Sequence, residues 1–240
     1  VDPASAQLEA DLGASVRRLA VRYPLTGLDV SALTTGLAQL VSTPLGKLTG
    51  DRTLRDLAAA RRLAELDFEL PLGGPVGRRS QVADLARCFE TMLEPGDPLQ
   101  RYGALLSESA AAGTTLAGFL TGSIDVVLQV PGDPDRYVIL DYKTNRLARF
   151  GPDAMADAMC QAHYPLQALL YAVALHRYLG WRLPGYDPRV HLGGIGYLFV
   201  RGMSGAGNPM LGTMPSGVFT WLPPAEMIVA ASTVLAGGER

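Results

Sequence analysis

Apolar positions recur at helical spacing through the first third of the chain. Leu8, Leu12, Val16 and Leu19 share one face and predict a helix that stops before Pro24. Leu33, Leu37 and Leu40 predict a second helix, capped by Asp29 and ended before Pro44. Thr53 is placed to cap a third, short one. The period then changes. Over 64–70, Ala64, Leu66, Phe68 and Leu70 alternate with Glu65, Asp67 and Glu69, which predicts a strand with one buried face. Three carboxylates on the other face must be solvated or given a cation. A Gly/Pro/Arg cluster at 73–79 reads as a loop, and Val82, Leu85, Phe89 and Met92 predict an amphipathic helix after Ser80.

Beyond a polar stretch lie three candidate strands, 115–121, 122–130 and 136–143. The last two flank Pro131-Gly132-Asp133-Pro134-Asp135, a strong turn signal. Residues 153–162 and 165–179 predict helices, with Pro165 at a tolerated first-turn position. Strands follow at 195–200 and 218–222, and a closing helix at 224–235. Residues 202–216, rich in Gly, Ser, Asn and Pro, read as a mobile loop. No internal repeat or linker is visible. The order predicts one mixed α/β domain: a helical N-terminal segment over 1–60 and a core built on a central sheet over 61–240.

Composition changes this picture in a few places. Of the 240 residues, 48% are hydrophobic, enough for a sizeable core. The first residue is Val1 rather than Met, so the chain reads as a piece of a longer protein or a processed product. The net charge of -2 gives none of the basic surface with which a protein holds nucleic acid unaided. If DNA is the substrate, something else delivers it. Lys47 and Lys143 are the two lysines among 21 basic residues, and that rarity makes each of them stand out. Cys88 and Cys160 form no ligand spacing and read as small buried hydrophobes in a reducing compartment. No apolar run approaches a membrane span and no leader pattern is seen, so the expected setting is the cytoplasm.

The candidate chemistry lies in the predicted hairpin. If Val130 pairs with Arg136 across the turn, Asp125 stands opposite Asp141, on neighbouring strands ~4.8 Å apart. Side chains alternate along a strand, so Lys143 shares a face with Asp141, beside apolar Val127 and Ile139. Two like charges so placed are destabilising unless a divalent cation joins them. Mg²⁺ favours such oxygen ligands; it can polarise a phosphoryl oxygen and lower the pKa of bound water. The lysine is suited to orient that water or stabilise developing charge. The alternative is an ordinary charged hairpin end in which Lys143 simply pairs with Asp141. Gln167 and Tyr171, four apart on the helix that follows, share a face suited to holding a phosphate. They read equally as a solvated Gln beside a core Tyr.

Three segments, Gly122-Ser123-Ile124-Asp125, the strand Val138-Ile139-Leu140-Asp141-Tyr142-Lys143-Thr144-Asn145, and Gln167-x-x-x-Tyr171, resemble the three motifs of PD-(D/E)XK nucleases of the RecB type. Glu65-Leu66-Asp67-Phe68-Glu69-Leu70-Pro71, Gln161-Ala162-His163, the run from Ala174 to Leu179 and the run from Gly193 to Gly202 extend the likeness over 64–202. The resemblance implies a restriction-endonuclease-like core and a Mg²⁺-dependent DNA nuclease, with Mn²⁺ as a substitute, tethered to a helicase. The implied partners are DNA strands fed by the RecB-type helicase region, and RecC/RecD-type subunits. Asp125 and Asp141 would be metal ligands with the Tyr142 carbonyl, and Glu65 would match a further acidic position, though Asp67 lies two residues away. Lys143 would position or activate the attacking water, and Gln167 and Tyr171 would orient substrate. The family's metal-binding histidine in a Gly-x-x-x-His context has no counterpart in this sequence. Because Val1-Asp2-Pro3 resembles the family segment just after it, the expectation is that this ligand lies upstream. The competing expectation is a module of the same fold that docks DNA or partner subunits without catalysis.

Overall fold

The computed structural model describes residues 1–23, 26–73 and 80–238. Pro24 and most of the loop expected at 73–79 lie outside them. Helices α1 (Leu8–Arg22) and α2 (Val30–Val41) form where the apolar spacing predicts them. Asp29 caps α2 by accepting from Ala32 N at 2.9 Å. Thr53 starts no helix. Its N–H and hydroxyl both donate to Asp56 Oδ2, at 2.7 and 2.8 Å, and close a single turn instead. That turn lets Leu54 and Leu57 bury themselves against the sheet.

The sheet contains β1 (Arg62–Leu72), β2 (Gly118–Val130), β3 (Arg136–Lys143), β4 (Leu192–Phe199) and, after the two-residue strands β5 (Met210–Leu211) and β6 (Met214–Pro215), β7 (Val218–Trp221). Its order is β1-β2-β3-β4-β7. All neighbours are antiparallel except β3 and β4, which are parallel, so the sheet is mixed. All eight residues of β4 are buried, as expected of a parallel strand covered on both faces. The separate strands expected at 115–121 and 122–130 are one. β1 pairs with β2 from Leu72↔Gly118 to Arg62↔Leu128, and no turn interrupts the run at Gly122. Gly122 instead makes room for its cross-strand partner: a Cβ there would lie 2.6 Å from Phe68 Cζ.

Two apolar clusters hold the sheet from its two sides. On one face, α3 (Val82–Met92), α5 (Pro152–Gln161), α6 (Tyr164–Arg182) and α8 (Ala225–Leu235) pack Phe89, Met159, Leu169, Val173 and Met227 over Val127, Ile139, Ile195 and Tyr197. On the other, Leu40, Leu45, Leu54 and Leu57 of the N-terminal segment cover Val126, Leu128, Val138, Leu140 and Leu198. Each large aliphatic side chain so buried contributes ~1.5–3 kcal/mol. Cys88 and Cys160 sit in the first cluster as buried apolar side chains.

Two short helices escape the periodicity: α4 (Tyr102–Ser107), which buries Tyr102 and Leu106, and α7 (Pro188–His191), capped by Asp187. Elements this short show too few repeats to reveal a period. The 202–216 segment, expected as a mobile loop, contains regular structure. It holds the β5-β6 hairpin, and Asn208 Oδ1 accepts from Ser204 N and Oγ while its Nδ2 donates to Ser216 O. Among the described residues no helix is long and apolar enough to cross a membrane.

Replacing Gly122 by Val should drive Phe68 from its place and destabilise the fold by about 1–3 kcal/mol. Thermal unfolding should show this as a midpoint lowered by ~2–4 °C per kcal/mol; an unchanged midpoint would refute the close packing at this pair.

Candidate active site

The β2-β3 pairing runs from Val130↔Arg136 to Val126↔Leu140, which makes Asp125 and Asp141 the next pair in the same register. There a side chain takes over from the backbone: Tyr142 N donates to Asp125 Oδ2 at 2.9 Å. Asp125 is half-buried, and Asp141 is 3% exposed. Asp141 Oδ2 is buried without an aligned hydrogen bond, although Lys143 Nζ lies 2.5 Å away as an ion pair. Burial raises the Asp141 carboxyl above the ordinary aspartate range; Lys143 opposes the shift and Asp125 adds to it.

Lys143 is fixed from several sides. Its ammonium donates to Gln167 Oε1 at 3.0 Å and lies 4.0 Å from the Tyr164 ring centroid and 5.1 Å from that of Tyr197. An ammonium only donates, so the amide oxygen of Gln167 must face it and the amide nitrogen must face away. That nitrogen donates to the Tyr171 hydroxyl at 3.1 Å. The open pair of donors expected on this helix is therefore partly engaged: Gln167 links Lys143 to Tyr171. Phe68 braces Tyr171 edge to face, with centroids 5.9 Å apart. Burial raises the Tyr171 hydroxyl, and the negative charges of Asp141 and Asp125 raise it further.

Asp125, Asp141, Lys143, Gln167 and Tyr171 thus come together at one end of the β2-β3 pair and the start of α6. Glu65 stands on β1 at the register position facing Asp125, between the pairs Ala64↔Val126 and Leu66↔Ile124. Its φ of 53° is left-handed, unusual for a strand residue. Glu65, Asp125 and Tyr142 line a cleft of about 750 Å³ that Val1, Asp2 and Pro3 also border, whereas Asp67 does not reach it. Among the described residues, however, no three His, Cys, Asp or Glu side chains assemble to hold a metal. What the site offers a divalent cation is two carboxylates, one with a buried oxygen lacking an aligned donor, beside the strand residue Tyr142, whose N–H meets Asp125. This is a hard-oxygen set of the kind that suits Mg²⁺. The histidines lie elsewhere: His163 Nδ1 meets the Tyr102 hydroxyl, His176 Nδ1 the Tyr186 hydroxyl, both at 2.9 Å, and His191 closes α7.

Residues 6–216 match the PD-(D/E)XK nuclease superfamily. The chain belongs to that superfamily. It is similar to the protein named RecBCD enzyme subunit RecB in Mycolicibacterium smegmatis, at 44% identity over 98% of this chain and 22% of the relative. The namesake in Mycobacterium tuberculosis strain CDC 1551 is 45% identical over 99% of this chain and 22% of its own length. That of Escherichia coli K12 is 34% identical over 85% and 16%. The chain therefore spans about a fifth of the length of these curated relatives. The mixed five-stranded sheet flanked by helices agrees with the restriction-endonuclease-like fold of the superfamily.

The sequence motifs did not expose the aromatic floor of this nuclease-superfamily site. Tyr197 lies beside Asp141 because β3 and β4 are parallel, in the register Asp141↔Tyr197. Tyr164, one turn before Gln167, stacks on it with centroids 5.7 Å apart. The likeness over Gly193 to Gly202 includes Tyr197, but only the strand pairing sets it beside Asp141.

The Asp141 carboxyl should titrate above an ordinary aspartate in carbon-detected NMR. Asp125→Asn should lower its pKa by removing a like charge, and Lys143→Met should raise it. Since the folded-state value exceeds the unfolded one, stability from this group falls as pH rises from the unfolded towards the folded value. Titration of Asp141 at the unfolded-peptide value would contradict the burial that drives the shift.

Proposed function

We propose that this chain is the metal-dependent nuclease domain of a helicase-nuclease, hydrolysing DNA phosphodiesters during double-strand break processing and recombinational repair in the cytoplasm. The observation that carries the reading is the meeting of Asp125, Asp141 and Lys143 at the end of one strand pair. The superfamily match and the RecB naming of the relatives support it.

In this reading Asp125, Asp141 and the Tyr142 carbonyl hold Mg²⁺, or Mn²⁺ in its place, and Glu65 contributes from the neighbouring strand. The cation, when bound, supplies positive charge and Lewis acidity to a phosphoryl oxygen. Lys143, held by Asp141 and Gln167, orients the attacking water and offsets negative charge that develops at phosphorus. The water oxygen adds to phosphorus and gives up a proton to solvent, while the bond to one ester oxygen breaks and that oxygen leaves with the electron pair and takes a proton from solvent. Tyr171 accepts from Gln167, so its own proton is available to a phosphate oxygen of the substrate. The acidic balance of the chain fits delivery of single strands by a helicase region and RecC/RecD-type subunits, with exonuclease-type cutting.

With Mg²⁺ and linear DNA, the full-length protein should degrade the substrate, and Asp141→Ala should cut the rate by about 10²–10⁴-fold while leaving the circular dichroism spectrum intact. Retained cleavage would overturn the assignment. One observation favours the other reading, a non-catalytic module that docks DNA or partner subunits: no three-acid metal cluster is assembled among the described residues. Calorimetric titration of the full-length protein with Mg²⁺ and Mn²⁺ separates the two. Binding that Asp125→Ala removes supports catalysis; no binding at all supports docking.

A further inference from the structure

We propose that Tyr164 and Tyr197 are positioning residues that hold the Lys143 ammonium at its working place, Tyr164 by its ring face and Tyr197 by both its ring and its hydroxyl. The proposal rests on reading Lys143 as the group that acts on the attacking water. It adds two residues, from α6 and β4, that the strand motif does not contain.

A lysine carries a compact charge on a flexible stem with several rotatable bonds. One ion pair to Asp141 does not fix such a group, because the ammonium can swing about the carboxylate. Here it has two further kinds of restraint. The two tyrosine rings lie nearly parallel, 19° apart, and both present π-density to Nζ. The Gln167 amide oxygen supplies a directional acceptor at 3.0 Å.

Tyr197 also controls that acceptor. Its hydroxyl lies 3.1 Å from Gln167 Oε1 and 3.1 Å from the Tyr164 carbonyl oxygen. A phenol has one proton, so the two acceptors share it. This shared bond holds Gln167 Oε1 towards Lys143 and ties the first turn of α6 to β4. Tyr197 itself is fully buried, and its hydroxyl is kept protonated well beyond the ordinary range, first by burial and then by the nearby carboxylates. Among the described residues the Tyr164 hydroxyl, by contrast, makes a single long contact of 3.4 Å, to Asn145 Oδ1, so its ring carries its role.

The two side chains therefore differ in what a substitution removes. Tyr164→Phe keeps the ring and should leave kcat within about twofold of the unaltered protein, whereas Tyr164→Leu should lower kcat by ~3–30-fold. Tyr197→Phe keeps the ring and nearly the volume but removes one of the donors to Gln167 Oε1, and should lower kcat by ~2–10-fold. KM for linear DNA should stay nearly constant in all three, because none of these groups needs to touch the ground-state substrate. A purely structural role would instead lower stability without separating kcat from KM and without rescue by Phe at 164.

A second readout needs neither metal nor cleavage. With lysine labelled with ¹³C at Cε, the signals lost in Lys143→Met and in Lys47→Met assign the two lysines of this chain. The Lys143 Cε protons should resonate upfield of those of Lys47 because of the ring currents, and Tyr164→Leu should move them back. An unshifted Lys143 signal, or one unaffected by Tyr164→Leu, overturns the proposal on geometry. If Lys143→Met abolishes cleavage but Tyr164→Leu and Tyr197→Phe leave kcat unchanged, the proposal falls while the nuclease reading stands. If Lys143→Met cleaves normally, the role assigned to Lys143 falls and the proposal with it, whatever the NMR signal shows. The expected pattern, kcat loss with rescue by Phe at 164 and a lost ring-current shift, supports it.

Discussion

The site depends on a single alignment, the pairing of β2 with β3. It places one carboxylate beside another at the end of an apolar strand pair and sets an ammonium two residues further on. Neither carboxylate would choose the arrangement alone. Burial and mutual repulsion both oppose ionisation of Asp141. The fold enforces it because slipping the register by one residue would turn the apolar side chains of both strands away from their clusters. Core packing on two faces thus supplies the energy that holds an electrostatically unfavourable pair together.

Much of this was legible in the chain. Alternation over 64–70 marked β1, the turn between 130 and 136 fixed the hairpin register, and that register alone brought Asp125 to Asp141. Other features were hidden for definite reasons. β2 was split in two because local composition cannot show that β1 pairs along its whole length. Thr53 had the residue type of a cap, but the nearby Asp56 carboxylate captured both of its donors. The short helices α4 and α7 carry too few apolar repeats to register. The 202–216 segment has the composition of a loose loop, yet the Asn208 side chain supplies hydrogen bonds that no periodicity reveals.

The candidate site divides along the same line. Residues on the hairpin, and Gln167 with Tyr171 on one helical face, followed from spacing. That the Gln167 amide is spent on Lys143 and Tyr171, rather than left open, follows only from the packing of α6 over the sheet. Glu65 shows the limit most sharply. Alternation put it on the same face as Asp67, but its left-handed backbone interrupts that alternation, and it shares a cleft with Asp125 while Asp67 does not.

The parallel contact between β3 and β4 has an evolutionary consequence. Asp141 and its strand neighbour Tyr197 are separated in the chain by two long helices, so they do not travel together as one heritable motif. A hairpin transplanted into another scaffold would carry both aspartates and the lysine, yet leave the ammonium without its aromatic floor. The smallest portable unit is the hairpin, α6 and β4 together.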